Sequence, residues 1–467
     1  MMRNLRVGGA VALGTTLAIF AAACSPTETV VEEVVTPAPA APAPEAPAAP
    51  APAPEAGDAG QCEAGTTVTV DFFSDAMPGP LQDHANAFAA EHGITINWVN
   101  LGDSTQARDS YLAGFNAGGA GVGDVILIEG DHWNTVAGAN PEDLVPLPEI
   151  PGRWLGWAGD EGRVGGTLLG YRTDIGPLAV LYNATVLEEH GFGQYADPAA
   201  FSAWIGGSNA SWDTFLEAGR QWHDATGLAW VDSISDGPLR AALRQLSPSA
   251  FENPATGNMI DLETNTAAHD LFMKFAGAMT EGLGAGVPFW DGAWGSAMNQ
   301  GEFVTMVAPP WQINWPLRAA GGPDGDWRVA EVVPGGGANW GGSFAAVTAH
   351  SSVIPCAILV ADGLTNDDAG AALWSIGSVP SQVHLLDAGL ENNAEIQAFL
   401  GGQDYAPVLT GLADAMPAAP FRGRAFGTVQ DDIFFNNLAS VNDGIMTPQQ
   451  AWDQALSDFN DLPFPRD

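Results

Sequence analysis

A short apolar run between two chain breakers limits most strongly how this chain can fold. Residues 303–307 are apolar or β-branched, which is typical of a strand buried on both faces. Gly301 precedes the run, and Pro309 and Pro310 end it because proline cannot continue a strand ladder. Trp311 is therefore expected on a loop at the carboxyl end of a buried strand, which is where open α/β sheets bind ligands.

Strand and helix patterns alternate through the region before residue 130. Alternating apolar residues at 68–72 predict a first strand, and an apolar stripe over 81–89 predicts a helix. Residues 94–100 and 124–129 predict further strands, with a helix over 106–116 between them. This order indicates βαβ units and a parallel sheet, and 467 residues are enough for two or three domains.

The charge balance argues against two kinds of partner. The chain has 55 Asp and Glu against 15 Lys and Arg, a formal net charge of −40. A field of this sign repels phosphate backbones, so we expect no nucleic-acid binding and no docking along an anionic lipid surface.

The first 60 residues have the composition of an export leader followed by a tether. Residues 1–23 combine Arg3 and Arg6 with an uncharged stretch too short for a membrane span, which predicts a signal peptide. Cys24 follows three alanines, as a lipidated cysteine does in bacterial lipoproteins; ordinary cleavage with release is the alternative. Residues 24–60 then form a linker rich in Pro, Ala and Glu, which cannot bury enough surface to fold.

Several motifs, in one order, carry a resemblance to a known family. They are the helix, strand and Pro-Trp unit ending at Trp311, the stretches 170–183, 331–347 and 378–382, and the Thr447-Pro448 helix start. Together they resemble the extracellular solute-binding proteins of ABC importers, particularly the maltose-binding-like family 1 sugar-binding lipoproteins. The resemblance covers roughly residues 64–462.

The resemblance implies an α/β fold of two discontinuous lobes joined by hinge strands, of the type II-like periplasmic-binding-protein class. The first lobe would comprise residues 63–175 and 331–377, and the second lobe residues 178–328 and 381–467. The implied function is capture of a carbohydrate and its delivery to the transmembrane subunits of an ABC permease. The chain would act as an exported monomer, anchored by lipid to the outer face of the cell membrane, with no cofactor and no metal ion.

Six residues are expected in the cleft between the lobes. An indole ring can stack on the C–H face of a sugar, and carboxylates accept hydrogen bonds from hydroxyl groups. The expected ligand contacts, which are all on loops or crossings of the implied fold, are Asp75, Asp131, Trp133, Asp174, Trp311 and Trp340. Each has an ordinary alternative, which is a solvated loop for the acids and core packing for the tryptophans.

Other tryptophans and the cysteines have structural interpretations. Trp212, Trp290, Trp294 and Trp452 lie on helical stripes and are expected in the core. Of the three cysteines, Cys62 and Cys356 would both fall in the first lobe if the resemblance holds, so we expect a disulfide between them. Two buried free thiols are the alternative.

Two other functions are compatible with the sequence. Aromatic rings with carboxylates also bind cations, so a polyamine or quaternary amine is a second ligand class. A glycan hydrolase is the third possibility, because 55 acids always supply a pair of carboxylates. However, no nucleophile elbow, His-Glu-x-x-His or Cys-x-x-Cys pattern occurs.

Overall fold

The computed structural model describes residues 62–74, 76–289, 291–320, 322–416 and 421–467. The expected signal peptide, Cys24 and linker lie outside these residues, as do Asp75 and Trp290. The described residues belong to one compact unit. No helix in the described ranges is both long and apolar enough to cross a membrane.

The strands are short. In chain order they are β1 (Thr67–Phe72), β2 (Thr95–Asn100), β3 (Val125–Glu129), β4 (Arg163–Val164), β5 (Thr167–Leu168), β6 (Gly170–Arg172), β7 (Asp174–Ile175), β8 (Ala179–Asn183), β9 (Ala229–Val231), β10 (Phe303–Ala308), β11 (Trp327–Val329), β12 (Ser343–Val347) and β13 (Val379–Pro380). Burial extends along the whole length of β6, β7, β8, β10, β12 and β13.

The helices are α1 (Gly79–Glu91), α2 (Ser104–Asn116), α3 (Trp133–Val136), α4 (Gly156–Glu161), α5 (Ala184–Glu189), α6 (Pro198–Trp204), α7 (Trp212–Thr226), α8 (Arg240–Gln245), α9 (Thr266–Thr280), α10 (Trp294–Asn299), α11 (Ile354–Gly363), α12 (Asp367–Trp374), α13 (Val383–Ala388), α14 (Ala394–Phe399), α15 (Ala406–Asp414), α16 (Asn436–Asn442) and α17 (Pro448–Asn460). Three π-helical segments, Ser235–Leu239, Ile313–Leu317 and Thr428–Phe435, join or extend them.

Local sequence explains where three of the longer helices begin. α2, α7 and α17 each start with a capping box, in which the N-cap side chain and the third helical residue bond each other's backbone N–H groups. In α17 the pair is Thr447 and Gln450, with Pro448 at the first helical position, as the sequence predicts. These helices therefore have starting points that do not depend on tertiary contacts.

The first lobe is the five-stranded sheet with the helices packed on it. Its strand order is β2–β1–β3–β12–β6. β1 is parallel to β2 and β3, whereas β12 is antiparallel to both β3 and β6, so the sheet is mixed rather than purely parallel. β12 comes from a later part of the chain, which local alternation of strands and helices cannot indicate. Cys62 and Cys356 of this lobe are joined by a disulfide.

The second lobe is the four-stranded sheet with its helices, in the order β11–β8–β10–β9. Every residue of β10 is buried, which is the burial expected of the apolar run at 303–307. Trp212, Trp294 and Trp452 are buried in this lobe, as expected. The two apolar layers on either side of the sheet form separate core clusters.

Three chain crossings connect the lobes side by side. β7 pairs with β13, so the first and third crossings form a two-stranded ribbon. The second crossing meets the first where Pro177 bridges Asn339. Ala338 and Trp340 still pack in the second-lobe core, and the chain re-enters the first sheet at Ser343, later than residue 331, where the sequence suggests the return. These crossings are the segments at which a hinge between the lobes would lie.

Candidate solute-binding cavity

A cavity of about 510 Å³ lies where the two lobes face each other, beside the crossings. Its walls combine the first lobe, the second lobe and all three crossings; the lining residues are Phe73, Ser74, Ala76, Pro78, Ser104, Thr105, Glu129, Asp131, His132, Asp174, Arg240, Trp311, Asn314, Trp340, Gly341, Gly342, Ser343, Leu373, Ile376, Ser378 and Asp431. This volume is within the usual range for small-molecule sites, roughly 300–1,000 Å³.

Strand ends place the polar groups in this cavity. Ser74 follows β1, Glu129 ends β3, and Trp311 follows β10 after the two prolines. Ser104 and Thr105 open α2, so its N-terminus also faces the cavity. Carboxyl ends of strands and a helix N-terminus therefore converge, as they do at ligand sites of open α/β sheets.

The acidic loop after β3 is held by arginines of the second lobe. Asp131 accepts a hydrogen bond of 2.7 Å from Arg422, and its other oxygen accepts one from Arg244. Burial alone would raise the pKa of Asp131, but the charges of Arg244 and Arg422 outweigh it and lower the pKa to about 2. Asp131 thus lines the cavity as expected, but arginines occupy both of its oxygens.

The pKa of Glu129 is shifted in the opposite direction to that of Asp131. One of its oxygens accepts a hydrogen bond of 2.7 Å from the backbone N–H of Asp131. Burial, together with the negative charge of Asp131, raises the pKa of Glu129 to about 8. At neutral pH Glu129 is therefore protonated and can donate a hydrogen bond into the cavity as well as accept one.

Two tryptophans of the second lobe and second crossing form the apolar part of the wall. Trp311 and Trp340 meet edge to face, with ring centroids 5.7 Å apart and planes at 70°. Trp340 is buried, and its backbone N–H donates to the carbonyl of Gly176 at 2.8 Å. Trp311 also lines the cavity, and it is only partly buried, so it is more accessible than Trp340.

Arg240 covers one face of Trp340. Its guanidinium carbon lies 4.2 Å from the Trp340 ring centroid and 4.8 Å from that of Phe435. Arg240 also pairs with Asp236 at 2.6 Å and with Asp431 at 3.6 Å. The positive charge over this ring is therefore supplied by the protein.

Asp174 lies on the first crossing and ties it to the second. Its carboxylate accepts hydrogen bonds of 2.7 Å from the Thr173 hydroxyl and 3.1 Å from the Ser343 N–H. Burial raises the pKa of Asp174. Asp174 lines the cavity at the mouth of the hinge, where the sequence suggests it, and its oxygens also hold the crossings together.

Trp133 lies elsewhere than the sequence suggests. It is fully buried in the first lobe, with its ring centroid 4.4 Å from that of Phe344, and it does not line the cavity. The short helix α3 turns its side chain into the lobe, so its ordinary alternative, core packing, is what the structure has. Asp75 lies outside the described residues.

Some residues that line the cavity carry no recognisable sequence signal. Arg240 and Asp431 are charged residues in helical segments of the second lobe, and Asn314 lies in a π-helical turn. For Asn314 the one available clue is that it follows Trp311 by three residues; Arg240 and Asp431 have no such clue. In the parts of the chain that the structure describes, no group of three or more His, Cys, Asp or Glu side chains is placed to hold a metal ion.

A second depression, of about 530 Å³, lies wholly outside the cleft. It is lined by small and apolar residues around Val332, Pro407 and Leu412, with Glu331 as the charged residue. It lacks the convergent polar groups of the interlobe cavity, so we take the interlobe cavity as the candidate site.

Comparison with solved structures finds the same two-lobed architecture. A crystal structure described as an extracellular solute-binding protein family 1 is 25% identical over 85% of this chain and 99% of its own, with a TM-score of 0.74. The ABC transporter associated binding protein from B. animalis subsp. lactis Bl-04, in complex with beta-1,6-galactobiose, is 19% identical, covering 84% and 97%, with a TM-score of 0.65.

A third solved structure is the galacto-N-biose-/lacto-N-biose I-binding protein of the ABC transporter from Bifidobacterium longum, in complex with lacto-N-biose. It is 17% identical over 86% of this chain and 98% of its own, with a TM-score of 0.65. At such identity the likeness shows the fold. A comparison with curated proteins found no match.

The sequence model described as bacterial extracellular solute-binding protein matches residues 84–353, more than half of the chain. The matched range includes the four-stranded sheet, every strand of the five-stranded sheet except β1, the first two crossings and most of the cavity wall. This is a family of solute-binding proteins rather than of enzymes. The chain belongs to the family of bacterial extracellular solute-binding proteins.

Proposed function

We propose that this chain captures a carbohydrate, an oligosaccharide, in its interlobe cavity and delivers it to the transmembrane subunits of an ABC permease. The observation that carries the proposal is the composition of the cavity wall. Two tryptophans supply apolar surface, and hydroxyl, amide and carboxyl groups surround them. The relatives of the same fold that were solved with beta-1,6-galactobiose and lacto-N-biose support this ligand class.

The cavity lining explains how binding is coupled to closure. Trp311 and Arg240 belong to the second lobe, whereas Ser104 and Glu129 belong to the first. A solute that contacts both sets of residues favours the closed form, because only that form makes both sets of contacts. The paired crossings supply the hinge for this motion. We propose that the first lobe comprises residues 63–175 and 343–377, and that the second lobe comprises residues 178–340 and 381–467.

The arginines favour a neutral solute over a cation. A cation box needs exposed aromatic faces and unpaired carboxylates. Here Arg240 already covers one face of Trp340, and Asp131 is paired with Arg244 and Arg422. Polyamines and quaternary amines are therefore the less favoured ligand class.

We further propose that the protein is not an enzyme and works as an exported monomer held to the membrane by lipid on Cys24. The leader at 1–23 and the linker at 24–60 support export and anchoring.

A thermal-shift screen against mono- and oligosaccharides, polyamines and betaines tests the ligand class. A solute at 100 times its dissociation constant adds about 2.7 kcal/mol of stability, which is a visible rise in melting temperature. A rise with sugars alone supports the proposal. A rise with cations alone, weakening steeply with salt, would overturn the carbohydrate assignment. Release of reducing ends on prolonged incubation would identify a hydrolase instead.

A further inference from the structure

A chain of charged residues links the hinge to the rim of the cleft, alongside the cavity. Arg172, next to the first crossing, donates to the carbonyl oxygens of Asp174 at 2.8 Å and Gly341 at 2.7 Å. Its third nitrogen reaches Glu161 at 3.0 Å. Arg172 therefore connects two crossings to Glu161, at the end of α4, within the first lobe.

Arg422 of the second lobe completes this chain. One of its terminal nitrogens lies 2.6 Å from Glu161, and the other lies 2.7 Å from Asp131. Its side chain is 10% exposed. The cavity lining includes Asp131 but not Arg422 or Glu161. Arg422 thus bridges two carboxylates of the opposite lobe from a position outside the cavity.

The backbone around Arg422 is seated on the first lobe as well. The carbonyl oxygen of Arg422 accepts a hydrogen bond from the Asn134 amide, and that of Arg424 accepts one of 3.3 Å from the Thr135 hydroxyl. Both donors lie on α3. Residues 421–426, which we call the strap, therefore contact α3 through the main chain and through Arg422.

The strap is fixed independently to its own lobe. The Phe421 N–H donates to the carbonyl of Pro248 at 2.8 Å, and the Ala425 N–H donates to Glu252 at 2.9 Å. Ala425 and Phe426 belong to the second-lobe core. Because the strap is part of the second lobe and α3 is part of the first, these contacts join the two lobes.

We propose that Arg422 is an affinity-determining residue that acts from outside the cavity, by latching the two lobes together through Asp131 and Glu161. Opening would separate the guanidinium from both carboxylates and release Asn134 and Thr135. An apparent dissociation constant is the intrinsic value divided by the fraction of molecules in the binding-competent state. A residue that raises the closed fraction therefore raises affinity without contacting the solute.

Replacing Arg422 leaves both of its carboxylate partners paired with other arginines, so the substitution tests the contact between the lobes and not the burial of an unpaired charge. When Arg422 is replaced, Asp131 keeps Arg244 and Glu161 keeps Arg172, so neither carboxylate loses its last partner. Arg422→Met preserves most of the side-chain volume. The matched control is Arg220→Met, which removes the same charge from a pair with Glu281 that lies within the second lobe.

Hydrogen exchange of the full chain without solute tests the latch directly. We expect Arg422→Met to speed exchange at least tenfold at residues 133–137 and 421–429, and to leave β1 to β3 unchanged. Arg220→Met is expected to change neither segment. Unchanged exchange at residues 133–137 in Arg422→Met, or equal acceleration by Arg220→Met, would overturn the proposal. If Arg422→Met does not fold, Asn134→Ala removes the hydrogen bond from α3 to the Arg422 carbonyl oxygen instead. Faster exchange at residues 421–429 in that variant would support the latch, and unchanged exchange there would overturn it.

The consequence for affinity rests on the proposed function, whereas the exchange experiment does not. For a sugar that binds, we expect Arg422→Met to raise Kd at least tenfold, through faster dissociation. In the parent protein, affinity for this neutral sugar should fall with added salt, because salt favours the separated charges; in Arg422→Met this dependence should weaken. Equal salt dependence in both proteins would count against the latch even if the sugar binds well.

Discussion

The guanidinium carbon of Arg240 lies 4.2 Å from the ring centroid of Trp340. Because of this contact, the two tryptophans of the cavity wall differ in how they are packed. Both tryptophans line the cavity, but Trp340 is buried between an arginine and the second-lobe core, whereas Trp311 is only partly buried. Replacing one or the other should therefore have different effects on stability and on binding.

We expect Trp311→Ala to weaken sugar affinity more than tenfold, because the cavity wall loses an aromatic surface on which a sugar ring can stack. The melting temperature should change by only a few degrees, because Trp311 is only partly buried. Trp340→Ala should lower stability by roughly 3 kcal/mol, since it removes a buried indole and the ring that Arg240 covers. Calorimetric titration and thermal melts separate these effects. Sugar affinity within twofold of the parent in a folded Trp311→Ala protein would remove Trp311 from the site.

Gly342 is expected to be essential to the crossings for a reason other than its backbone angle. It has a φ of 76°, and a Cβ there would lie 2.2 Å from the carbonyl oxygen of Asp174. Gly336 has a φ of 100°, but a Cβ there meets nothing within 4 Å. Alanine at either position costs about 1 kcal/mol of backbone strain.

Only Gly342→Ala adds a collision with a neighbouring crossing, so we expect it to be less stable than Gly336→Ala by about a further 2 kcal/mol. It should also bind solute more weakly, because the hinge is displaced. Denaturant unfolding of both variants gives the comparison. Equal losses of stability would show that the crossings tolerate a methyl group at this point.

The disulfide between Cys62 and Cys356 should stabilise the protein without affecting the site. It spans 294 residues of sequence, so closing this loop restricts the unfolded chain strongly. We expect replacement of both cysteines by serine to lower stability by about 2–5 kcal/mol, with sugar affinity within twofold of the parent. A reducing agent should lower the melting temperature of the parent but not of the variant. A large loss of affinity would contradict this separation of roles.

Stability should fall as pH rises from about 4.5 to 8, through Glu129. Its pKa is about 8 in the folded protein, above its ordinary value of 4.5, so over this interval the folded state holds a proton that the unfolded state has lost. This contribution is complete at low pH and is lost as pH rises through 8. Asp131 acts in the other direction, since its lowered pKa makes stability fall between about pH 4 and pH 2.

We expect Glu129→Gln to flatten the loss at alkaline pH. Glutamine keeps a donor and an acceptor but cannot ionise, so the variant should be more stable than the parent at pH 8.5, by about 1–2 kcal/mol after allowance for water in the cavity. At pH 5 the two proteins should be nearly equal. Melting temperatures measured from pH 4 to pH 9 test the sign. A parent protein whose stability rises between pH 6 and pH 8.5 more than that of the variant would contradict the protonated state of Glu129.

The sequence by itself determined the features that short-range chemistry controls. β10 is buried along its whole length because five successive apolar or β-branched residues lie between chain breakers. α17 begins at Pro448 because Thr447 and Gln450 cap it. Trp311, Trp340 and Asp174 line the cavity because they follow strand ends or crossings, and strand ends are local signals.

Only the tertiary structure decided what the charged residues do. Asp131 is paired with Arg244 and Arg422, which lie 113 and 291 residues further along the chain. No local pattern links residues so far apart, so the sequence could suggest a carboxylate in the cleft but not its arginine partners. Trp133 was turned into the first lobe by the packing of Phe344 from a later strand. Local propensity sets where elements begin and end, whereas the direction of a side chain and the charge beside it depend on which distant segments fold against it.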